Sequence, residues 1–600
     1  MPNEIYHRSE WGNPKPLGWG NIYFDADATN ELYKRSDNYE NSNGTDEILR
    51  DISNKASIVL TPTAYDNGSI NSVIPSTNTN LNVSFNNQNG WSWNGSVLSA
   101  SPASGESRFI DDRFLRQKTY LITFKVLSYT SGSLGYKFGG GSTFADYFNN
   151  DLIEGNIISF QANSDANFPN FQFITSDFNG SLSEISFTEL DTADFDFTRA
   201  SIATRVNEQG VIEEVASGIP RIDYTSGFGS WLLEPESTNL FQRSEEFDNS
   251  YWAKNNLSIT PNQLVSPNGS TNTDKVILNS GTNNINGGLY RQIFTTASTQ
   301  YAFSIFAKKG EYRYGTIGFG STSSNGFHFD LEQGIILSEF NASAQYTNVS
   351  KEMIDYGNGW YKLIVVTTDD IGSSRFIGIR PHNTVPTATN NNYPSTGDGT
   401  SGIYVWGAQL EQKSFASSYV PTSGSTVTRS DEVANNSGNA DLFNDSEGVL
   451  YAETAALVND LSVRSISISD SSLDNSIRIA YQTVSNNFNF RIRTNGTSAQ
   501  SNNREVSDIT EFAKVAFKYK SSESSAFING FKVLTVTSSF AFTNTLNQLR
   551  FENGAGSQDF YGNTKELAVF KEALTDAELE SLTSWVSFTQ MATDLEYTLE

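Results

Sequence analysis

Short runs in which apolar and polar residues alternate recur along most of the chain. Tyr120 to Val126, Ile157 to Phe160, Phe171 to Phe173 and Ile185 to Phe187 are such runs, separated by clusters of Gly, Asn and Ser. Successive side chains on a strand point to opposite faces, so each run places one row inward and one outward. Short strands at this spacing, with no long helix between them, predict antiparallel sandwiches. The chain therefore reads as all-β: several antiparallel β-sandwiches with an irregular N-terminal arm.

The order of segments returns on a larger scale. Phe85 to Trp93 is echoed by Phe247 to Trp252, Tyr120 to Phe124 by Tyr301 to Phe306, and Ile185 to Leu190 by Ile403 to Glu411. One sandwich fold used twice accounts for this order. The first copy is expected over 76–193 and the second over 241–431. Between them, 194–240 carries Arg and aromatic residues too regularly for a floppy Gly/Ser linker, and reads as an ordered connector along a domain face.

Residues 432–600 again alternate. Phe488, Phe490 and Ile492 are assigned inward, with Asn489, Arg491 and Arg493 outward. Near the end, Thr575 followed three residues later by Glu578 is a capping box, predicting one short helix that closes this domain. Residues 1–75 lack a sustained period. Their Trp11, Trp19, Tyr23 and Tyr33 sit among Pro, Gly and Asn, so the segment reads as an arm that docks on a neighbour, with a short helix around 45–52; the alternative is a small cap on the next domain.

Composition narrows the function classes. Forty Lys and Arg against 67 Asp and Glu leave a formal charge of −27, which repels phosphate backbones and anionic membrane surfaces. No nucleic acid and no membrane insertion are expected, since no run approaches the ~18 apolar residues of a spanning helix. With no cysteine, neither disulfides nor thiolate metal sites hold the domains together. The three histidines, His7, His328 and His382, stand far apart in sequence, which leaves Ser–His–Asp chemistry only isolated candidates. The opening, Met1 to Pro16, has neither the basic nor the apolar region of a signal peptide, which fits synthesis in a cytosol and release by lysis.

A family resemblance rests on longer motifs. Phe197 to Ser201, Arg205 to Asn207, Pro220 to Tyr224, Leu233 to Pro235, Thr238 to Leu240, Gly357 to Lys362, Trp406 to Glu411 and Tyr419 to Thr422 together resemble the carbohydrate-binding-like modules of phage tail fibres and virion structural proteins. Phe527 to Gly530, Lys565 to Phe570 and Leu574 to Leu579 resemble the laminin-G or concanavalin-A-like lectin fold, in which such a helix follows the last strand. Tyr6 to Gly12 and Asn54 to Ser57 are similar to the openings of phage virion proteins.

The resemblance implies a non-enzymatic virion component, a tail fibre or receptor-binding adhesin. It would be made in the host cytoplasm and exposed on the particle surface, anchored to other virion proteins through the arm and holding host cell-surface glycans. A homotrimer follows by analogy with tail fibres. A baseplate or decoration protein, or a glycan depolymerase, is the alternative. For the last, Glu447 and Glu453 are the acids to watch, because the corresponding fold hosts glucanases.

Sugars are held by flat aromatic faces and by groups that satisfy their hydroxyls. Trp91, Trp93 and Trp252 lie in loop-like Asn, Gly and Ser settings and Trp360 in a strand, so these four are the candidate glycan-binding residues; for each the alternative is a tryptophan closing a core, as for Trp406. Jelly-roll carbohydrate modules also carry a structural Ca2+, bound by six to eight oxygens. Glu245, Glu246 and Glu411 are the candidate carboxylates. No catalytic residue is assigned.

Overall fold

The computed structural model describes residues 3–4, 55–63, 65–72, 83–103, 105–108, 119–138, 143–144, 148, 152–163, 171–175, 177–190, 193–283, 288–320, 324–387, 395–537, 539–584 and 597–598. The expected helix around 45–52 and most of the expected arm lie outside them. Two compact units form: Asn71–Asp194, and Met1–Ile70 together with Phe195–Glu600. The class is all-β, as the alternation predicts, and every sheet of four or more strands is antiparallel where its pairings are described.

In the unit Asn71–Asp194, a five-stranded sheet runs in the order Ile157–Asn163, Thr119–Ser131, Asn179–Leu190, Val97–Ala100, Trp91–Trp93. A four-stranded sheet holds Thr143–Phe144, Gly135–Phe138, Phe171–Thr175 and Gly105–Arg108. Their core is aromatic: Phe171 meets Phe187 at 4.9 Å and Phe124 meets Phe148 at 5.2 Å between ring centroids. Rings at such distances add edge and face attraction to the burial of apolar area.

The larger unit contains two sandwiches. In the first, two six-stranded sheets enclose a core that includes Phe247, Trp252, Phe303, Phe327, Val365 and Leu410. In one sheet Thr299–Lys309 lies between Gly402–Glu411 and Trp360–Asp369. Strand Gly402–Glu411 changes face midway. Ile403 and Val405 enter the core, and so do Ala408 and Leu410, whereas Trp406 joins a separate cluster with Phe306, Trp360 and Tyr419. A register shift opposite Ser304 and Phe306 inserts the extra residue. Gly407 absorbs it at φ 65°, where an added Cβ would lie 3.1 Å from the Phe306 ring.

The C-terminal sandwich pairs an eight-stranded sheet with a five-stranded one. The larger sheet is completed from distant sequence: Gly562–Phe570 takes Glu447–Ala456 on one side, and Ser230–Leu233 and Ala56–Leu60 on the other. Residues 56–60, within the expected arm, thus close a sheet instead of projecting. Strand Ser230–Leu233 belongs to the same sheet, so the segment 194–240 is woven into the unit rather than laid along one face. Helix Asp576–Leu582 forms with its capping box, Thr575 N donating to Glu578 at 2.7 Å and Glu578 N to the Thr575 hydroxyl at 3.3 Å.

Candidate functional site

Three of the four candidate tryptophans are core residues. Trp91 is 3 % exposed and stacks on Phe178 at 5.6 Å. Trp252, also 3 % exposed, sits between Phe241 and Phe247, and its Nε1 donates to the Arg243 carbonyl at 2.9 Å. Trp360 is 4 % exposed beside Trp406. A ring with both faces packed offers nothing to a sugar, which corrects the glycan-binding expectation for these three. Trp93 alone is half-buried, edge-on to Phe85 at 5.7 Å.

The three candidate calcium carboxylates do not fit a cation. Glu411 is fully buried and accepts from Ser237 Oγ at 2.6 Å and Ser417 N at 2.9 Å. Glu245 accepts from the Tyr419 hydroxyl at 2.8 Å and Asn272 at 2.7 Å, while Glu246 pairs with Arg243 and Ser423. Each is saturated by hydrogen-bond donors, and among the described residues no three Asp, Glu or His side chains come together as a cation site. The calcium expectation is corrected accordingly.

Three of the motifs, those with Arg199, Arg221 and Glu234, serve an internal lattice completed by Arg429 and Glu432. Arg199, Arg221, Arg429, Glu234 and Glu432 are each at most 3 % exposed. Glu432 receives Arg199 at 2.7 Å and Arg221 Nε at 2.8 Å, and Glu234 receives Arg221 at 2.9 Å and Arg429 at 3.4 Å. Burial alone would raise the Glu234 carboxyl, but Arg429, Arg221 and the Ser418 hydrogen bonds hold it down to about 2. Burial likewise works against the charge on Arg221, and Glu432 and Glu234 more than reverse it, leaving its pKa raised. A cavity of about 530 Å3 borders this lattice, lined in part by Asp223, Glu234, Lys362 and Ser417. Its charges are engaged: Asp223 accepts from Val206 N at 2.9 Å, and Lys362 donates to the Ser417 carbonyl at 3.0 Å.

His328 and His382 are not isolated. Both bond Thr316 Oγ1 at 2.6 Å, and His382 Nδ1 meets Ser395 Oγ at 2.6 Å. Both imidazoles are fully buried, and burial, then Arg380 and His328, push His382 well below its ordinary value. This is a core polar chain closed to substrates. Sequence reasoning missed it because only strand register brings Thr316 opposite His328.

The open polar chemistry lies on the C-terminal sandwich. In its five-stranded sheet, Ile466, Ile468, Ile477, Ile479, Phe488, Phe490 and Ile492 are buried on the inner side, as the alternation predicts for the last three. The outer side is built in rows across the strands. One row reads Arg550, Ser467, Arg478, Arg491, Ser501; the next reads Gln548, Ser469, Ser476, Arg493, Ser498. Residues directly opposite have Cβ atoms about 5 Å apart. Arg478 and Arg491 therefore lie side by side, with Arg493 two residues along, about 7 Å away. Ser467, Ser469, Ser476 and Arg478 are buried, so the accessible part of this side is formed by the half-buried Arg491 and Arg493 with the exposed Ser498 and Ser501. Asn489 is buried beside them and donates to Asn503 at 2.7 Å. The returning segment 551–561 frames this side: Ser467 Oγ donates to the Glu552 carbonyl at 2.6 Å and Arg478 to Gln558 at 3.3 Å.

On the opposite sheet, the acids singled out for depolymerase chemistry do not pair with each other. Glu447 binds Lys520 at 2.8 Å, and six residues of one strand put it about 20 Å from Glu453, beyond the roughly 10 Å that a glycosidase pair spans. Glu453 instead faces Glu566 across neighbouring strands. Burial raises the Glu566 carboxyl, Lys514 opposes this, and the Glu453 charge adds to it.

Residues 457–580 match the Laminin_G_3 family model, described as the concanavalin A-like lectin/glucanases superfamily. The C-terminal sandwich is a lectin-like domain of this kind. No curated protein matches the chain. Among solved structures, the Ruminococcus gnavus IT-sialidase CBM40 bound to alpha2,3 sialyllactose is similar at 17 % identity over 25 % of this chain and 93 % of that one, with a TM-score of 0.22. Domain 4 of AbnA, a GH43 extracellular arabinanase from Geobacillus stearothermophilus in complex with arabinotriose, gives 12 %, 26 %, 73 % and 0.22 in the same order. Domains LG4-5 of the mouse laminin alpha1 chain give 10 %, 57 %, 92 % and 0.18. The fold rests on the strand order and the family match.

Proposed function

We propose that the chain is an adhesin of a phage particle, a tail fibre or other receptor-binding component that attaches to host surface glycans. One observation carries the glycan half: a lectin-like sandwich presents the half-buried Arg491 and Arg493 beside the exposed Ser498 and Ser501 at the edge of its five-stranded sheet, groups of the kind that bind sugar oxygens. The particle half is supported by the motifs within 197–431. In this reading residues 1–75 include the contact to other virion proteins, the modules stand on the particle surface as a homotrimer, and weak single contacts add through effective concentration.

Binding of the full-length chain to a glycan array tests the first half, with retained binding to one sugar class as the expected result. Immunogold labelling of purified particles tests the second, with label at the fibres. A chain that labels particles but ignores every sugar is a structural baseplate or decoration protein. A second reading, virion glycan depolymerase, is favoured by the facing pair Glu453 and Glu566, one carboxyl raised as a general acid requires. New reducing ends from host polysaccharide, lost in Glu566→Gln, would establish it.

A further inference from the structure

The arginines on the outer face of the five-stranded sheet are unequally matched. Arg550 pairs with Glu552 at 2.9 Å. Among the described residues, Arg478, Arg491 and Arg493 have no carboxylate within salt-bridge distance. Their bonds inside the chain are few: Arg478 reaches Gln558, Arg493 the Gly496 carbonyl, and Arg491 makes none. The Nε–H groups of all three are shielded from solvent without an acceptor, and so are the hydroxyls of Ser465 and Ser476 on the same face. Arg478 itself is 4 % exposed. Three adjacent cations with unmet donors, in a chain of net charge −27, are costly unless something supplies the missing acceptors.

We propose that Arg478, Arg491 and Arg493 form a binding site for the oxyanion group of an acidic saccharide, a sugar that carries a carboxylate or a sulfate. This rests on the glycan-binding reading and names its ligand class. Guanidinium forks bind two oxygens at once, which suits both groups. Arg491 and Arg493 are half-buried and meet the ligand, and Arg478 backs them from the adjacent strand. The exposed Ser498 and Ser501 on the edge strand remain for the sugar hydroxyls. Burial, then the charges of Arg491 and Arg493, push the Arg478 pKa down to about 10, a field that an incoming anion relieves. The rest of the chain's charge opposes a polyanion such as nucleic acid while tolerating one oxyanion in this patch.

The test uses the full-length chain on an array that pairs each acidic glycan with its neutral counterpart, in uronate, sialylated and sulfated arms. The expected result is binding in at least one acidic arm, falling steeply with salt and weakened about ten- to a hundredfold by Arg491→Gln with Arg493→Gln, with partial rescue by Arg491→Lys. Competition by free glucuronate or sulfated glucose, and none by glucose, makes the same test without any variant. Equal binding of acidic and neutral partners overturns the proposal and leaves the glycan reading standing. Binding to no glycan removes both, and stronger, variant-sensitive binding of single-stranded DNA overturns the saccharide assignment.

Discussion

Two arginine clusters in the larger unit share a residue type and a β framework and differ in what meets them. Arg199, Arg221 and Arg429 lie beside Glu234 and Glu432, and all five are buried. Only Arg429 keeps nitrogens without an acceptor there. Arg478, Arg491 and Arg493 lie beside serines and one another. A buried charge removed from its partner is strongly destabilising, so the first cluster fixes how the strands from 194–240 join Val427–Arg429 and Val433–Asn435. The second cluster fixes nothing of comparable weight. The contrast separates an arginine that assembles the chain from one available to something outside it, and the criterion is the carboxylate opposite, not burial alone.

The sharpest way to break this contrast is Glu432→Gln. It leaves Arg199 and Arg221 buried without their shared counter-charge, and the larger unit should lose about 3–5 kcal/mol, read by urea denaturation. A loss under about 1 kcal/mol would put the lattice in the class of exposed ion pairs. Next in size is the acid limb of stability. Glu234 has a folded pKa of about 2, below its ordinary 4.5. Its contribution is therefore complete above about pH 4.5 and lost as pH falls from there through 2, in total about 3 kcal/mol. Glu234→Gln should flatten that limb in a pH series of denaturation midpoints, whereas Arg491→Gln should leave its shape unchanged.

The two clusters were also unequally legible. The period of two at Phe488, Phe490 and Ile492 places Arg491 and Arg493 on the outer side, and burial of the three apolar residues agrees. That Arg478 stands beside Arg491 depends on the register of two strands, which alternation within each does not specify. In the lattice, the regular arginines of 194–240 mark an ordered segment, but the partner of Arg221 is 211 residues away. The tryptophans failed for a related reason. Trp252 sits in an Asn- and Ser-rich stretch that reads as loop, yet Phe241 and Phe247 close over it and a backbone carbonyl takes its N–H. Glu411 meets Ser237, whose hydroxyl comes from 174 residues away, a closure that the local sequence does not mark. Long-range closure leaves no mark on local composition, whereas the helix cap at Thr575 and Glu578 is local and was readable.

The smallest expected effect is the most informative about the second cluster. Replacing Arg491 and Arg493 together by Gln removes two like charges from beside Arg478, and no ion pair is lost with them. Arg493 gives up one bond, to the Gly496 carbonyl, which Gln is too short to restore in the same geometry. Relief of repulsion and loss of that bond are each worth about 1 kcal/mol or less, so the net change in stability should fall within about 0.5 kcal/mol of zero. The measurement is the denaturation midpoint of the double variant beside wild type, at low and at high salt. Screening weakens repulsion between exposed charges, so any gain in stability should shrink as salt rises. A loss of several kcal/mol would instead mean that these arginines hold the sandwich together as Arg221 holds the connector, and the distinction between the clusters would disappear.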